Sequence, residues 1–450
     1  MTSVSAECVH MLIMGGIAVA NRTIDFRYGH SELKISLPEE KIINEVYGRP
    51  CEVVEDIPSA VRTALRQPIG TPPLKKIVKP GDRVAVIVSD ITRTWVRFDQ
   101  FLPVLLDELN EAGIPDQNIF ITIAVGAHRL NTQEEFALIC GRQVCERIEI
   151  VNHDCHNEAE LVYTGTTSRG VECRINKRVA EADIKILTGG IVHHMMAGYG
   201  GGRKAILPGI SGFKAIQGNH LLCMNQVVGQ GINPNCVSGA IDDNEMNQDM
   251  IEQAALAKPD FLLNAVFAPD GRFAKFVSGH WYDAWLAGVT LVDEIYGVSV
   301  SEQADLVIAS AGGFPKDINL YQGLKTVDNA YMAVKPGGVI LCFMELADIK
   351  EPPEFADWFK YKTALEQEMA LREHFTIPGF LAYKLADIAR RNPLIVVTKP
   401  ENAAFIRNAG MFPATTAAEA LAIAQEKIGR TDFTITIMPS AANTVPVIAK

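Results

Sequence analysis

From residue 83 the chain alternates buried-strand and amphipathic-helix patterns. Val84–Ser89 (VAVIVS) is a β-branched run with the character of a strand covered on both faces. Apolar positions at helical spacing over 100–111 stop before Gly113, and 118–125 (NIFITIAV) is the next strand. Strand, helix and strand at this spacing predict a right-handed βαβ unit with parallel strands. A third strand, 184–187, runs into Thr188, Gly189 and Gly190. Asp270-Gly271 between two apolar runs, Phe261–Phe267 and 272–277, predicts a hairpin. The alternation restarts after residue 296. Strand 305–310, a Gly-Gly-Phe-Pro loop, helix 318–333, a Lys335-Pro-Gly-Gly turn and strand 339–344 follow. Helix 380–391, strand 394–398, helix Ala417–Ile428 and strand 433–437 complete the pattern. Local pattern does not assign that last strand to either half. The fold class is α/β: two α/β domains with parallel-rich sheets and a boundary near 290–300.

Composition narrows the function. A chain of 450 residues, 48% hydrophobic and 21% charged, holds more than one sizeable core, so about two or three domains are expected. The net charge of −11 argues against nonspecific nucleic-acid binding. No run of eighteen apolar residues occurs, so no membrane partner is expected. The nine cysteines form no CxxC motif and read as reduced, cytoplasmic thiols. An apolar run over 9–20 ends in Ala-Val-Ala, but Glu7 precedes it with no Lys or Arg. It reads as an N-terminal extension, not a secretory leader.

Candidate chemistry collects after the strands, where parallel sheets bind ligands. Ser89-Asp90-Ile91-Thr92-Arg93, Gly126-Ala127-His128-Arg129 and Gly189-Gly190-Ile191-Val192-His193-His194 end three strands of the first half. Gly312-Gly313-Phe314-Pro315-Lys316-Asp317 ends one in the second. Two such sets imply a cleft between domains. Taken alone, Asp90 and Arg93 suit a surface ion pair, and His128 a cap or a hydrogen-bonded core residue. Adjacent His193 and His194 point more strongly to chemistry. His153-Asp-Cys-His156 reads as a surface loop. Residues 198–212 (GYGGGRKAILPGISG) suggest a nest of free N–H groups for an anion, phosphate above all. Both common nucleotide motifs fit it poorly: Lys204 lies between Arg203 and Ala205, and no acidic residue follows about twenty positions on. Lys204 suits an amine nucleophile with a depressed pKa or a phosphate-binding lysine equally well. His220 suits a single protein ligand to a metal held mainly by something else.

The ordered set SDxTR, GAHR, a His and a Lys ten residues apart ending in GGRKAILPG, then NH, then PKDINxYQxxK resembles the nickel-dependent lactate racemase family. The resemblance implies two α/β domains, 1–294 and 295–430, with residues 431–450 returning to the first and the site in the cleft. It also implies a nickel-pincer nucleotide, a pyridinium mononucleotide gripping nickel through carbon and two sulfur atoms, delivered by cofactor-maturation proteins. Lys204 matches its thioamide anchor, His220 the nickel-binding imidazole, and His128 and His194 the paired acid/base histidines. Arg93, Tyr321, Gln322 and Lys325 match residues that place a 2-hydroxy acid, and Asp90 is expected to orient Arg93. Ser89, Gly200, Gly201, Gly202 and Arg203 are expected at the cofactor. The implied activity inverts the α-carbon of a 2-hydroxy acid by hydride transfer out to the cofactor and back, through a planar keto acid. A nicotinamide-dependent dehydrogenase and a non-catalytic cofactor-binding homologue are the alternatives. Phe380 stands where lactate-type members carry Trp, and Gly323 lies beside Gln322. Both point to 2-hydroxy acids larger or more polar than lactate, sugar acids included.

Overall fold

The structure, a computed structural model, describes residues 20–448. All but the last residue of the apolar run 9–20 therefore lies outside the described residues. Within them, no helix is long and apolar enough to cross a membrane. The chain builds two six-stranded sheets. The first has the order Phe273–Gly279, Phe261–Phe267, Ile184–Ile191, Val84–Ser89, Ile119–Ala124, Glu149–Asn152. Its strands are parallel except for the hairpin edge at Phe273–Gly279. Val84–Ser89 is central and buried up to Ser89, as its β-branched run requires. Parallel pairing sets the carboxyl ends of Val84–Ser89, Ile119–Ala124 and Ile184–Ile191 at one edge, so their loops converge.

The second sheet has the order Phe412–Ala414, Leu394–Val397, Val334–Phe343, Ala304–Ser310, Ile435–Met438, Ile42–Glu45, all parallel. The helix Leu320–Ala333 follows its central strand. Asn319 caps that helix, its side-chain oxygen accepting from the Gln322 N–H at 2.9 Å. Lys335-Pro-Gly-Gly is a bulge inside a strand, because the register jumps from Ala304↔Val334 to Leu306↔Val339.

The expected return of residues 431–450 to the first domain is corrected. Ile435–Met438 pairs with Ala304–Ser310, and Val445–Ile448 pairs with Gly297–Val300. The amino-terminal segment joins them. Ile42–Glu45 extends the second sheet, and the Asn21–Tyr28/Ser31–Pro38 hairpin packs Ile24, Phe26, Ile35 and Leu37 on its face. The reason lies in the central strand. Ala304–Ser310 is wholly buried and needs a parallel neighbour on each side. Ile435 and Ile437 complete the apolar face already carrying Leu306 and Ile308. Both ends of the chain thus build the second body.

One apolar cluster joins the two bodies, running from Ile216, Cys223 and Met246 to Leu324, Phe375 and Phe380. Polar links reinforce it. The Lys384 ammonium pairs with Asp328 at 2.6 Å, each side chain 6% exposed, and donates to the Met195 carbonyl at 3.0 Å. Gln217 donates to the Phe375 carbonyl at 2.7 Å. Lys384 therefore ties helix Ile377–Arg391 of the second body to the loop after His194. Removing one partner of a buried pair strands the other charge. Lys384→Met is expected to cost roughly 3 kcal/mol, read as a lower denaturation midpoint. Adding Asp328→Leu is expected to restore most of the loss. Parent-like stability of Lys384→Met would contradict this account of the latch.

Candidate functional site

Ser89 ends its strand, and Asp90 caps the turn that follows. One carboxylate oxygen of Asp90 accepts from the Thr92 N–H at 3.2 Å and hydroxyl at 2.6 Å. The other lies 2.6 Å from Nδ1 of His128. Asp90 therefore orients His128 and not Arg93, which corrects the expectation. Arg93 instead donates to the Thr92 carbonyl at 3.2 Å and hydroxyl at 3.0 Å. Burial opposes ionisation of Asp90, but the hydrogen bond and charge of His128, with Thr92 and Arg93, hold it below the usual carboxylate range. A charged Asp90 keeps the proton of neutral His128 on Nδ1 and leaves Nε2 as a base. The His128 loop is fixed from below: Gly126, at φ 55°, donates its N–H to the Gly209 carbonyl at 3.0 Å.

His193 and His194 are consecutive strand residues and face opposite ways. His193 contacts Asp293 at 2.9 Å and lies against the Tyr199 ring, a structural role. His194 joins the cleft. Its Nδ1 accepts from the N–H groups of Met196 and Ala197 at 3.3 and 3.2 Å, and its Nε2 lies 3.2 Å from the Lys204 amine. With Nδ1 an acceptor, the neutral ring carries its proton on Nε2, and the unprotonated amine of Lys204 accepts it. Burial, followed by the charges of Lys204, Arg93, Arg203 and Lys325, drives the His194 imidazolium well below its ordinary pKa. Burial, then Arg203 and Arg93, brings Lys204 down to about 7.

The glycine segment is not the expected open nest. Gly200 donates its N–H to the Val192 carbonyl at 2.7 Å, and Gly202 donates to the Asn264 side-chain oxygen at 2.8 Å. A Cβ on Gly201 would come within 2.7 Å of that oxygen, and one on Gly202 within 2.7 Å of the Trp285 ring. The glycines let the chain thread between Asn264 and Trp285 and so aim Lys204. Arg203 also turns inward, contrary to its expected place at the cofactor. Fully buried, it stacks 4.1 Å over Trp285 and donates to Asn247 at 2.8 Å and the Ala197 carbonyl at 2.7 Å. It acts on the site through its charge and through the His194 turn.

His220 sits near the end of the helix Phe213–Leu221, 3% exposed. Its Nδ1–H donates to the Ile216 carbonyl at 2.8 Å, so Nε2 keeps its lone pair. Burial, aided by the charge of Lys204, pushes it down to about 3. A neutral imidazole with one nitrogen anchored and one free is suited to a metal. The HDCH stretch is not a surface loop throughout, which corrects that reading. His153 is fully buried, with Nε2 3.0 Å from the Ser211 carbonyl and Nδ1 3.4 Å from the Asn176 amide. Its neighbour Cys155 accepts the Phe213 N–H at 2.9 Å, so the stretch seats the His220 helix.

From the second body, Tyr321, Gln322 and Lys325 project from the first turns of Leu320–Ala333. Lys325 is lowered by desolvation, then by Arg93 and Lys316. Tyr321 is raised by burial against the opposing charge of Arg93. Both lie near Arg93, across the cleft. Phe380 is fully buried and stacks 5.6 Å from Phe375, whose ring meets the edge of His220 at 5.7 Å. It reaches the cleft through Phe375 and is not itself a wall. Gly323 faces the core, where a Cβ would meet the Met344 sulfur at 2.5 Å, so it adds no room. Asn247, Trp285, Phe375 and Lys384 escaped sequence reasoning, and Thr92 was read only as part of the SDxTR motif. Asn264 left one signal, as the lone polar residue in an otherwise apolar strand.

Comparison with known proteins identifies the family and the fold. Residues 28–231 match the lactate racemase N-terminal domain, and residues 299–448 match the lactate racemase C-terminal domain. The lactate racemase of Thermoanaerobacterium thermosaccharolyticum is 34% identical over 432 residues, 94% of this chain and 98% of that protein. That of Lactiplantibacillus plantarum is 33% identical over 311 residues, 66% of this chain and 71% of that protein. The solved structure of the T. thermosaccharolyticum lactate racemase apoprotein superposes with a TM-score of 0.84 at 31% identity, covering 95% of this chain and all of that one. A Thermotoga maritima protein at 16% identity and TM-score 0.59, covering 90% of this chain and all of that one, shares the fold alone. The chain belongs to the lactate racemase family.

Proposed function

We propose that this protein is an isomerase that inverts the α-carbon of 2-hydroxy acids, with a nickel-pincer nucleotide as cofactor. One observation carries the reading: His128 bonds Asp90 through Nδ1, whereas His194 accepts at Nδ1 and faces Lys204 through Nε2, so the two rings are prepared with opposite proton placements. The residues fit the cofactor. Lys204, down at about 7, offers an amine for a thioamide link, and His220 offers one free nitrogen to nickel already held by carbon and sulfur. The cofactor, supplied by maturation proteins, provides a reversible acceptor for the hydride on C2.

The chain's own residues do the rest. Arg93 and Lys325 take the substrate carboxylate, and Tyr321 and Gln322 flank it. His128 removes the hydroxyl proton of one enantiomer, and Asp90 stabilises the resulting imidazolium through Nδ1–H. The planar 2-keto acid stays on Arg93 and Lys325. His194 serves the other enantiomer, which requires a proton on its Nδ1 and release of the Met196 and Ala197 N–H groups. Burial comes first in holding that imidazolium down, with the charges of Lys204, Arg93, Arg203 and Lys325 after it.

Three outcomes follow from these roles. Amine-selective labelling of the apoprotein should modify Lys204 with a rate that rises with pH, is half-maximal near pH 7 and is level above it. A midpoint near 10 would contradict the assigned environment. His128→Ala and His194→Ala, each cofactor-loaded, should both lose inversion by at least about a hundredfold. Each should still oxidise one enantiomer to bound keto acid, the preferred enantiomer swapping between them. Parent-rate inversion by both variants would end the two-base mechanism. His220→Ala should lose bound nickel as measured by elemental analysis, whereas His156→Ala, an exposed ring resting on Phe213, should retain it. Equal loss from both would reverse the assignment.

A further inference from the structure

Between the supports of His194 and His220 lies a pair of thiols that none of the roles above uses. Cys223 and Cys236, both fully buried, stand at the two ends of the loop 224–235. Met224 bridges Ile232 across the loop's base. The Asn233 N–H donates to the Cys223 carbonyl at 2.8 Å, and the Cys236 N–H donates to the Asn233 carbonyl at 3.1 Å, so the chain returns on itself. The Cys236 thiol then lies 3.6 Å from the Leu222 carbonyl, the oxygen of the peptide that leads into Cys223. Both sulfurs pack on one helix start. The Cys223 Sγ is 3.1 Å from the Met246 Sδ, and the Cys236 thiol donates at 3.5 Å to the Oδ1 of Asn244, the residue capping helix Glu245–Ala257. Each cysteine is also one hydrogen bond from a support of the site. The Cys223 N–H donates to the His220 carbonyl at 3.1 Å. Asn244 donates to the Met196 carbonyl at 2.8 Å, and the Met196 N–H binds Nδ1 of His194. The loop itself straps the two bodies together: Gly229 and Gly231 donate their N–H groups to the Glu368 carboxylate at 3.0 and 3.2 Å, and Arg372 donates to the Asn225 carbonyl at 2.5 Å. Pro234 and Asn235, just ahead of Cys236, are exposed, so the pair lies close beneath the surface.

We propose that Cys223 and Cys236 are a reversible redox pair, oxidised by peroxide to an intramolecular disulfide that disturbs the seating of His194 and His220. One sulfur attacks a peroxide oxygen, the O–O bond breaks, and water leaves as the sulfur becomes a sulfenic acid. The second sulfur attacks the first, the S–O bond breaks, and another water leaves as the disulfide forms. The two thiols give up two electrons and two protons, and hydrogen peroxide is reduced to water. Bond formation draws the sulfurs to about 2 Å, which pulls Cys236 from Asn244 and Cys223 from Met246. A shift of about 1 Å in the support of a catalytic group costs up to about a hundredfold in rate. In the test, apoprotein is treated with hydrogen peroxide, freed of it, and divided between peptide mapping and cofactor loading. Mapping after alkylation in denaturant should find Cys223 joined to Cys236, with dithiothreitol returning both thiols. Protein loaded after oxidation should invert at least about tenfold more slowly, and dithiothreitol before loading should restore the rate. Cys236→Ser and Cys223→Ala, checked for parent-like denaturation midpoints, should keep their rates through the same treatment. Cys223 and Cys236 both remaining open to alkylation would overturn the proposal, as would a crosslinked protein inverting at the parent rate. Equal loss in the parent and in both variants would also overturn it, assigning the damage to Met246 or another residue. The effect on rate rests on the activity proposed above. A reduced parent that inverts no 2-hydroxy acid would count against that activity alone, and the crosslink map would still decide the pair.

Discussion

The site depends on an imbalance of charge in a cleft of low polarity. Arg93, Arg203, Lys204 and Lys325 all act on His194, and the one carboxylate that answers them at the first body's strand ends, Asp90, is committed to His128. Burial first, and uncompensated positive charge after it, lower Lys204 and keep the His194 imidazole neutral. This arrangement also separates the two histidines chemically. His128 has an anion behind it, whereas His194 is buried with cations around it.

The packing explains how such a cluster survives. The glycines at 200–202 bring backbone against Asn264 and Trp285, fixing Lys204 on a rigid turn. Arg203 is held by Asn247, the Ala197 carbonyl and the Trp285 ring, so its charge is buried with its hydrogen bonds met. Lys384 reaches from the second body to Met195, within the turn that supplies the N–H groups to His194. Domain contact and the hydrogen bonds to His194 therefore meet in one short segment.

Sequence pattern carried the central strands of both sheets, because buried β-branched runs such as Val84–Ser89 and 305–310 leave little alternative, and it missed the edge strands Glu149–Asn152, Phe412–Ala414 and Ile42–Glu45. It could not assign the chain ends. A strand like Ile435–Met438 completes whichever sheet lacks a neighbour, and that vacancy is a property of the assembled sheet. Asp90, Arg93, His128 and His194 stood out in the sequence because they follow strand ends, whereas His220 and Lys325 lie on helices. Partners were less legible: Asp90 lies three residues from Arg93 and thirty-eight from His128, yet it bonds to the distant one. The glycines and Arg203 were misread for a related cause. Glycine permits close approach of anything, and here the approaching groups are a tryptophan and an asparagine of the protein itself.

The central claim is that inversion moves hydrogen from C2 as hydride, with the histidines handling only the hydroxyl proton. It is tested most directly by following a single enantiomer of a 2-hydroxy acid, deuterated at C2, through the loaded enzyme in ordinary water. Deuterium retained at C2 in the opposite enantiomer is the predicted result. Replacement of that deuterium by solvent hydrogen at the rate of inversion would show a histidine removing the C2 proton, and would contradict the account.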